Sequence, residues 1–422
     1  MLDRARPERL IARMAPRRIL FLTQWFEPEP ILKGIQFTRG LAEAGYEVEV
    51  ATGFPNYPTG KLAPGYQLQP YALEIMEGIR VHRLFLVPGH DTSGLRRALN
   101  YLSFFASALL FCMLRGGRYD VIYVYHPPIT VGLAAAISGL FSRTPYILDV
   151  QDLWPDSVVV SGFKGTKRLG VVLGRLCAFV YGRAALVIAQ SRAMSEILIE
   201  RGVPDRKTVT IFNWADEAAA RASGEYDVRL LGFEGRFNIV FGGNLGRVQE
   251  LETLVRAALL AAQEIPNIKL TLVGNGVERQ RLAALITELG SSNVQLVGAV
   301  PRTQIGDIFA AADVLILHLL DDPLFWITIP SKVQFYMAMG KPILACVRGE
   351  AADIVTGCGA GMAAAPQDVA AVAAGMVAMA RLAPDELTRM GERARETYEA
   401  SFSYAAAISA TSVCLERPEL SR

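Results

Sequence analysis

From Arg18 onward, short runs of consecutive apolar residues alternate with stretches whose apolar positions recur every three to four residues. Unbroken runs suit strands buried on both faces, and the longer spacing suits helices with one buried face. The pattern therefore predicts βαβ units and parallel sheets. The series opens with a strand at 18–23, a helix at 33–44 closed by Gly45, and a strand at 47–51. Strands at 121–125, 146–150 and 186–190 continue it with helices between them, and 208–211 ends this half. The polar stretch from Asn213 to Gly235 reads as a linker. A second series follows: strand 237–241, helix 250–264, strand 268–273, helix 277–289, strand 294–297, helix 302–311, strand 313–318 and an apolar run at 343–347. Residues 384–414 are helical in pattern. The expected fold class is α/β, two Rossmann-like doubly wound domains facing a cleft. The expected boundaries are 15–213 and 214–384, with helices at 385–422 packing back on the first domain. Ligands in such folds bind beyond the carboxyl ends of strands, so the loops after strands are where chemistry is expected.

A length of 422 residues exceeds what one core usually supports, which agrees with two domains. The chain is 51% hydrophobic and 20% charged, with a net charge of +2, so no global charge points to nucleic acid. Cys112, Cys177, Cys346, Cys358 and Cys414 are scattered and form no metal-ligand spacing. Reduced thiols in a cytosolic setting, no metal and no cofactor are the expectations. The first 18 residues carry six Arg but no apolar core of a signal peptide, and read as a disordered basic arm.

One segment departs from the βα pattern. Residues 98–114 are seventeen positions without a charge, flanked by Arg96, Arg97, Arg115 and Arg118. A core helix of the first domain and a helix lying in a membrane interface both fit. The interfacial reading is preferred, because core helices carry some polar positions. A membrane span is disfavoured by its length and its place within a domain.

Candidate chemistry lies at strand exits. Pro330, Ser331 and Lys332 open a short helix after the 313–318 strand, closed by Gly340-Lys341-Pro342. Free amides, a hydroxyl and an ammonium at a helix N-terminus make an anion site suited to phosphate. A capped helix with nothing bound is the alternative. Asp149 and Asp152 fall at or just past a strand tip, where carboxylates hold hydroxyls or take protons. Asp156 reads instead as a helix cap. His126 ends the 121–125 strand before two prolines, open between a ligand-facing and a structural role, and His318 poses the same question. Gly242-Gly243-Asn244-Leu245-Gly246-Arg247 and Gly274-Asn275-Gly276 are strand-tip loops where missing side chains let backbone approach a ligand. Neither is a dinucleotide fingerprint, and the chain has no Walker lysine, GxSxG or HExxH motif.

The segments LDVQDLWPDSVVVSG at 148–162, FGGNLGRVQELETL at 241–254, LVGNG at 272–276 and IPSKVQFYMAMGKPIL at 329–344 carry a resemblance in order and spacing. Together they resemble the glycosyltransferases of the GT-B fold, family four, across nearly the whole chain. They look most like the exopolysaccharide, colanic-acid-type and fucosamine-transferase-like enzymes. The resemblance implies a nucleotide-sugar donor on the second domain, an acceptor on the first, and retention of configuration without metal. It implies donor binding by Lys33, Gly34, Gly243, Asn244, Arg247, Gly274, Asn275, Ser331 and Lys332, and catalytic roles for His126, Asp149, Asp152 and Lys332. Four positions depart from the family's pattern. Asn244 and Gln249 occupy the places of the family's phosphate-loop Arg and Lys, and Ile327 and Phe335 those of its paired glutamates. Arg247 and Lys332 are the cations available to compensate.

These readings converge on a retaining transferase that moves a sugar, UDP-linked by preference, to a polyprenyl-diphosphate-linked saccharide. It would work at the cytoplasmic face of the inner membrane through helix 98–114. The alternatives are an epimerase of the same fold and a non-catalytic member of a polysaccharide assembly complex. Sugar, base, acceptor and oligomeric state are left open.

Overall fold

The computed structural model describes residues 16–89, 94–154, 156 and 167–417. The basic arm falls outside them up to residue 15, as does most of the 148–162 motif beyond Trp154. The chain forms two compact units, Met1–Ile188 with Ser412–Arg422, and Ala189–Thr411.

The first unit contains β1 (Arg18–Leu22), α1 (Ile35–Glu43), β2 (Glu47–Gly53), β3 (Tyr71–Met76), β4 (Ile79–Leu84), α2 (Gly94–Arg115), β5 (Val121–His126), α3 (Ile129–Ser142), β6 (Tyr146–Val150), α4 (Lys167–Arg183) and β7 (Leu186–Ala189). Its strands run in the order β3-β4-β2-β1-β5-β6-β7. β1 pairs in parallel with β2 and β5, which sets Ile19 against Val48 on one side and Val121 on the other. Every residue of β5 and β6 is buried, as unbroken apolar runs require.

The alternation of 71–76 with 79–84 was not assigned as strand from the sequence, yet it forms an antiparallel hairpin at the sheet edge. Glu77 (φ 44°) and Gly78 (φ 85°) are both left-handed, the signature of a two-residue hairpin turn. Glu77-Gly78 between alternating runs was the available signal.

The second unit contains α5 (Arg192–Glu200), β8 (Thr208–Thr210), β9 (Phe237–Gly242), α6 (Glu252–Glu264), β10 (Ile268–Val273), α7 (Arg279–Glu288), β11 (Val294–Val297), α8 (Arg302–Ala310), β12 (Val314–His318), α9 (Pro323–Trp326), α10 (Ser331–Ala338), β13 (Ile343–Cys346), α11 (Glu350–Gly357), β14 (Gly361–Ala363), α12 (Val369–Ala380), α13 (Pro384–Thr397) and α14 (Tyr404–Leu415). Its parallel sheet has the order β11-β10-β9-β12-β13-β14.

The second unit begins at Ala189, earlier than the 214 read from the linker. The N-terminus of α5 is tied to later residues: the amides of Arg192 and Ala193 donate to the Glu350 carboxylate at 2.9 and 2.7 Å, and the Ser191 hydroxyl donates to the Ile327 carbonyl at 2.5 Å. The linker itself is held by Asp307, which accepts from the amides of Gly224 and Tyr226 and from the Ser223 hydroxyl. At the other end, α13 packs on α10, so of the 385–422 segment only Ser412–Arg422 groups with the first unit.

Helix α2 combines both readings of the 98–114 segment. Asn100, Phe104, Ala108, Phe111 and Cys112 are buried, and the helix packs along α3. Leu95, Leu99, Leu102, Ala106, Leu110 and Met113, spaced by three and four, form an exposed apolar stripe on the opposite side. The helix has the length and composition to cross a membrane, but one face is already committed to the core.

Candidate functional site

In the second unit, two glycine loops interlock at the carboxyl ends of β9 and β10. The amide of Gly243 donates to the Val273 carbonyl at 2.9 Å, Leu245 to Asn275 at 2.8 Å, and Glu278 to Leu245 at 3.0 Å. A Cβ on Gly274, whose φ is +140°, would stand 1.9 Å from the Gly243 carbonyl oxygen. Only glycine fits there, so the sequence places glycine where backbone meets backbone. Asn244 and Asn275 are exposed at the loop tips.

Helix α10 points its N-terminus toward the same loop. Pro330 caps it, no side chain accepts from its first amides, and Ser331 is exposed. Tyr336 sets its position: the hydroxyl accepts the Gly242 amide at 3.1 Å and donates to the Ile316 carbonyl at 3.3 Å, linking α10 to the end of β9 and the middle of β12. Nothing in the sequence signals this role, because a buried tyrosine in a helix reads as core. Lys332 then passes over Gly243, where an added Cβ would lie 3.0 Å from Cε and 3.1 Å from Nζ. Its ammonium sits 5.0 Å from the centroid of the Phe241 ring and makes no ion pair among the described residues. Burial lowers its pKa to about 8. An ammonium that has lost water and gained no carboxylate is an anion site in waiting.

The other expected donor contacts are differently placed. Arg247 is exposed, with Nε 3.5 Å from Glu278, at the rim of the loop. Gln249, in the place of the family's lysine, is buried and accepts the Gly246 amide at 3.1 Å, so it braces the loop rather than facing a ligand. Phe335 meets Phe309 edge to face at 5.7 Å, which makes the place of the second family glutamate part of the core.

In the first unit two of the expected site residues are drawn into the core. Lys33 was expected at the donor phosphates and Asp149 in the acceptor pocket, but their side chains are both buried and pair with each other at 2.5 Å. Asp149 also accepts from the Tyr123 hydroxyl and the Gln151 amide, both at 2.5 Å. Three donors inside the core already engage this carboxylate. Gly34 is likewise engaged: its Cβ would lie 2.0 Å from the Glu27 carboxylate, which accepts the Ile35 amide at 2.9 Å and occupies the N-terminus of α1. The anion place of that helix is filled by the protein's own carboxylate.

His126 and Asp152 behave otherwise. His126 is fully buried at the tip of β5, neither ring nitrogen has a hydrogen-bond partner among the described residues, and Trp154 packs edge-on at 6.0 Å. Burial lowers its pKa to about 3, so the imidazole is neutral near pH 7. Asp152 reaches solvent just past β6, and the protein around it raises its carboxyl pKa by desolvation.

Glycine loops at the strand ends of a doubly wound domain have relatives. Residues 36–214 match the family model for the glycosyl transferase 4-like domain, and residues 236–381 that for glycosyl transferases group 1. The chain belongs to the family-four glycosyltransferases. This transferase is 26% identical over 317 residues to "Probable glycosyltransferase WbjE" of Pseudomonas aeruginosa, covering 73% of this chain and 76% of that one. It is 29% identical over 283 residues to "Putative colanic acid biosynthesis glycosyl transferase WcaI" of Escherichia coli K12, covering 63% and 68%. Anabaena Alr3699/HepE, solved in complex with UDP, superposes with a TM-score of 0.64 at 20% identity over 94% of this chain and 99% of that one, which shows the shared GT-B fold.

Proposed function

We propose that this glycosyltransferase moves a sugar from a UDP-linked donor to a lipid-linked saccharide in cell-surface polysaccharide synthesis, with retention of configuration and without metal. The observation that carries the donor half is the unpaired Lys332 ammonium over Gly243. A departing nucleoside diphosphate gains charge in the transition state. Lys332 and the Ser331 and Lys332 amides supply a fixed positive field for that charge, formed before the reaction begins. UDP is favoured because HepE shares the fold and was solved with UDP.

On the acceptor side, a neutral His126 with two open ring positions can orient a hydroxyl, and Asp152 is the accessible carboxylate beside the same strand exits. Asp149 takes the role of a buried support for this region rather than a catalytic one. The relative WcaI, named for colanic acid biosynthesis, supports a polysaccharide product.

The membrane half of the reading rests on α2. Its exposed apolar stripe, the absence of any Asp or Glu in it, and Arg96, Arg97, Arg115 and Arg118 around its ends suit an anionic bilayer surface on the cytoplasmic side.

The test is a thermal-shift screen against UDP, GDP, ADP and dTDP, followed by release of the free nucleotide from the matching sugar donor. Stabilisation follows RT ln(1 + [L]/Kd), so millimolar UDP raises the melting temperature if the site is a donor site. Release that requires added polyprenyl-linked saccharide supports the transferase. Release without acceptor is donor hydrolysis, conversion of the donor into an epimeric nucleotide sugar points to the epimerase alternative, and no shift with any nucleotide points to a non-catalytic role.

A further inference from the structure

We infer that His318 is a positioning residue for the donor diphosphate: it bolts the glycine loop facing Lys332 to the segment that leads into α10. The inference rests on the donor site proposed above. His318 ends β12 and is buried. Its Nδ1 lies 2.8 Å from the Gln249 carbonyl, which can only accept, so Nδ1 carries the proton. Its Nε2 lies 2.9 Å from the Gln367 amide, which can only donate, so Nε2 is bare. Two backbone partners thus select one neutral tautomer. Burial lowers its pKa, opposed by the bond to Gln249 and the charge of Glu250.

The contacts continue on both sides. Gln249 accepts the Gly246 amide through its side chain at 3.1 Å. The Gln367 side chain accepts the Asp321 amide at 2.8 Å, and the Asp321 carboxylate accepts Trp326 Nε1 and Arg348 Nε, each at 2.8 Å. An unbroken chain of hydrogen bonds therefore runs from Gly246, in the loop beneath Lys332, to Trp326, four residues before Pro330 caps α10. Gln367 (φ +57°) and Glu250 (φ +43°), next to Gln249, both adopt the left-handed conformation, and these two of the four such side-chain-bearing residues among the described residues flank the imidazole. No ligand contact is required of His318; it sets the separation between the two elements that meet the phosphates.

Calorimetric titration of UDP into the full-length protein tests this, each variant measured where circular dichroism shows it folded. His318→Leu fills the space but loses both bonds, and is expected to weaken UDP by about tenfold or more. His318→Asn fills the space less well but keeps an N–H for the Gln249 carbonyl, and is expected to recover most of the affinity. Gln249→Leu, which frees Gly246 without altering the imidazole, is expected to match His318→Leu and serves if the latter does not fold. UDP affinity of the Leu variants within twofold of wild type, or His318→Asn no better than His318→Leu, overturns the inference. Wild-type protein that binds none of the four nucleotides brings down the donor site itself, a separate failure.

Discussion

The Lys332 ammonium stands 5.0 Å over the Phe241 ring, at the edge of a glycine loop whose Gly243 leaves it room. A ring face attracts a cation but does not replace its water shell. Ligand-free protein therefore carries a destabilising charge at the place where a diphosphate would neutralise it.

Lys332→Met should raise the stability of the free protein by roughly 1–3 kcal/mol near neutral pH while removing most UDP affinity. The unfolded chain keeps this proton up to the ordinary lysine range and the folded chain releases it at about 8. The penalty is thus complete below pH 8 and fades as pH rises from there toward the unfolded pKa. Bound diphosphate favours the ammonium, so wild-type UDP affinity should be flat below pH 8 and decline above it. Urea unfolding and UDP titration over pH 6.5–9.5 check both slopes; a pH-independent affinity would exclude Lys332 from the phosphates.

Lys33 and Asp149 form a buried pair whose worth lies in not being broken. Lys33→Met or Asp149→Leu alone should cost about 3–5 kcal/mol, because each leaves a charge buried without its partner. The double variant should recover most of that loss. Chemical denaturation of all four proteins gives the coupling, and additive losses would contradict the pairing.

Gly274→Ala places a methyl group against the Gly243 carbonyl at a backbone angle that L residues avoid. The two glycine loops must separate to admit it. A loss of about 1–3 kcal/mol of stability is expected, together with weakened UDP binding. Flotation of the loss onto stability alone, with UDP affinity intact, would show that the loops do not form the donor floor.

For α2, Leu102→Asp with Leu110→Asp changes two exposed positions, 58% and 59% accessible. Co-sedimentation with phosphatidylglycerol vesicles should fall at least tenfold with little change in melting temperature. Retained binding would move the membrane contact to another surface.

The alternation of apolar runs with helical spacing was enough to predict two doubly wound domains, because buried parallel strands impose it on composition. The glycine loops and the start of α10 were legible for a related reason: glycines at strand tips and Pro-Ser-Lys opening a helix are local devices, encoded within a few neighbouring residues. Partners distant in sequence were not. Nothing near Lys33 announces Asp149, 116 positions away, and nothing near Gln249 announces His318, 69 positions away. Sequence placed Lys33 at the start of a helix and Asp149, His126 and His318 at strand exits, where any of them could face a ligand. Tertiary packing alone decided that Asp149 received Lys33, that His318 received two backbone groups, and that His126 received neither. A polar side chain's role depends on which partners desolvate and satisfy it, and those partners are brought together only by folding.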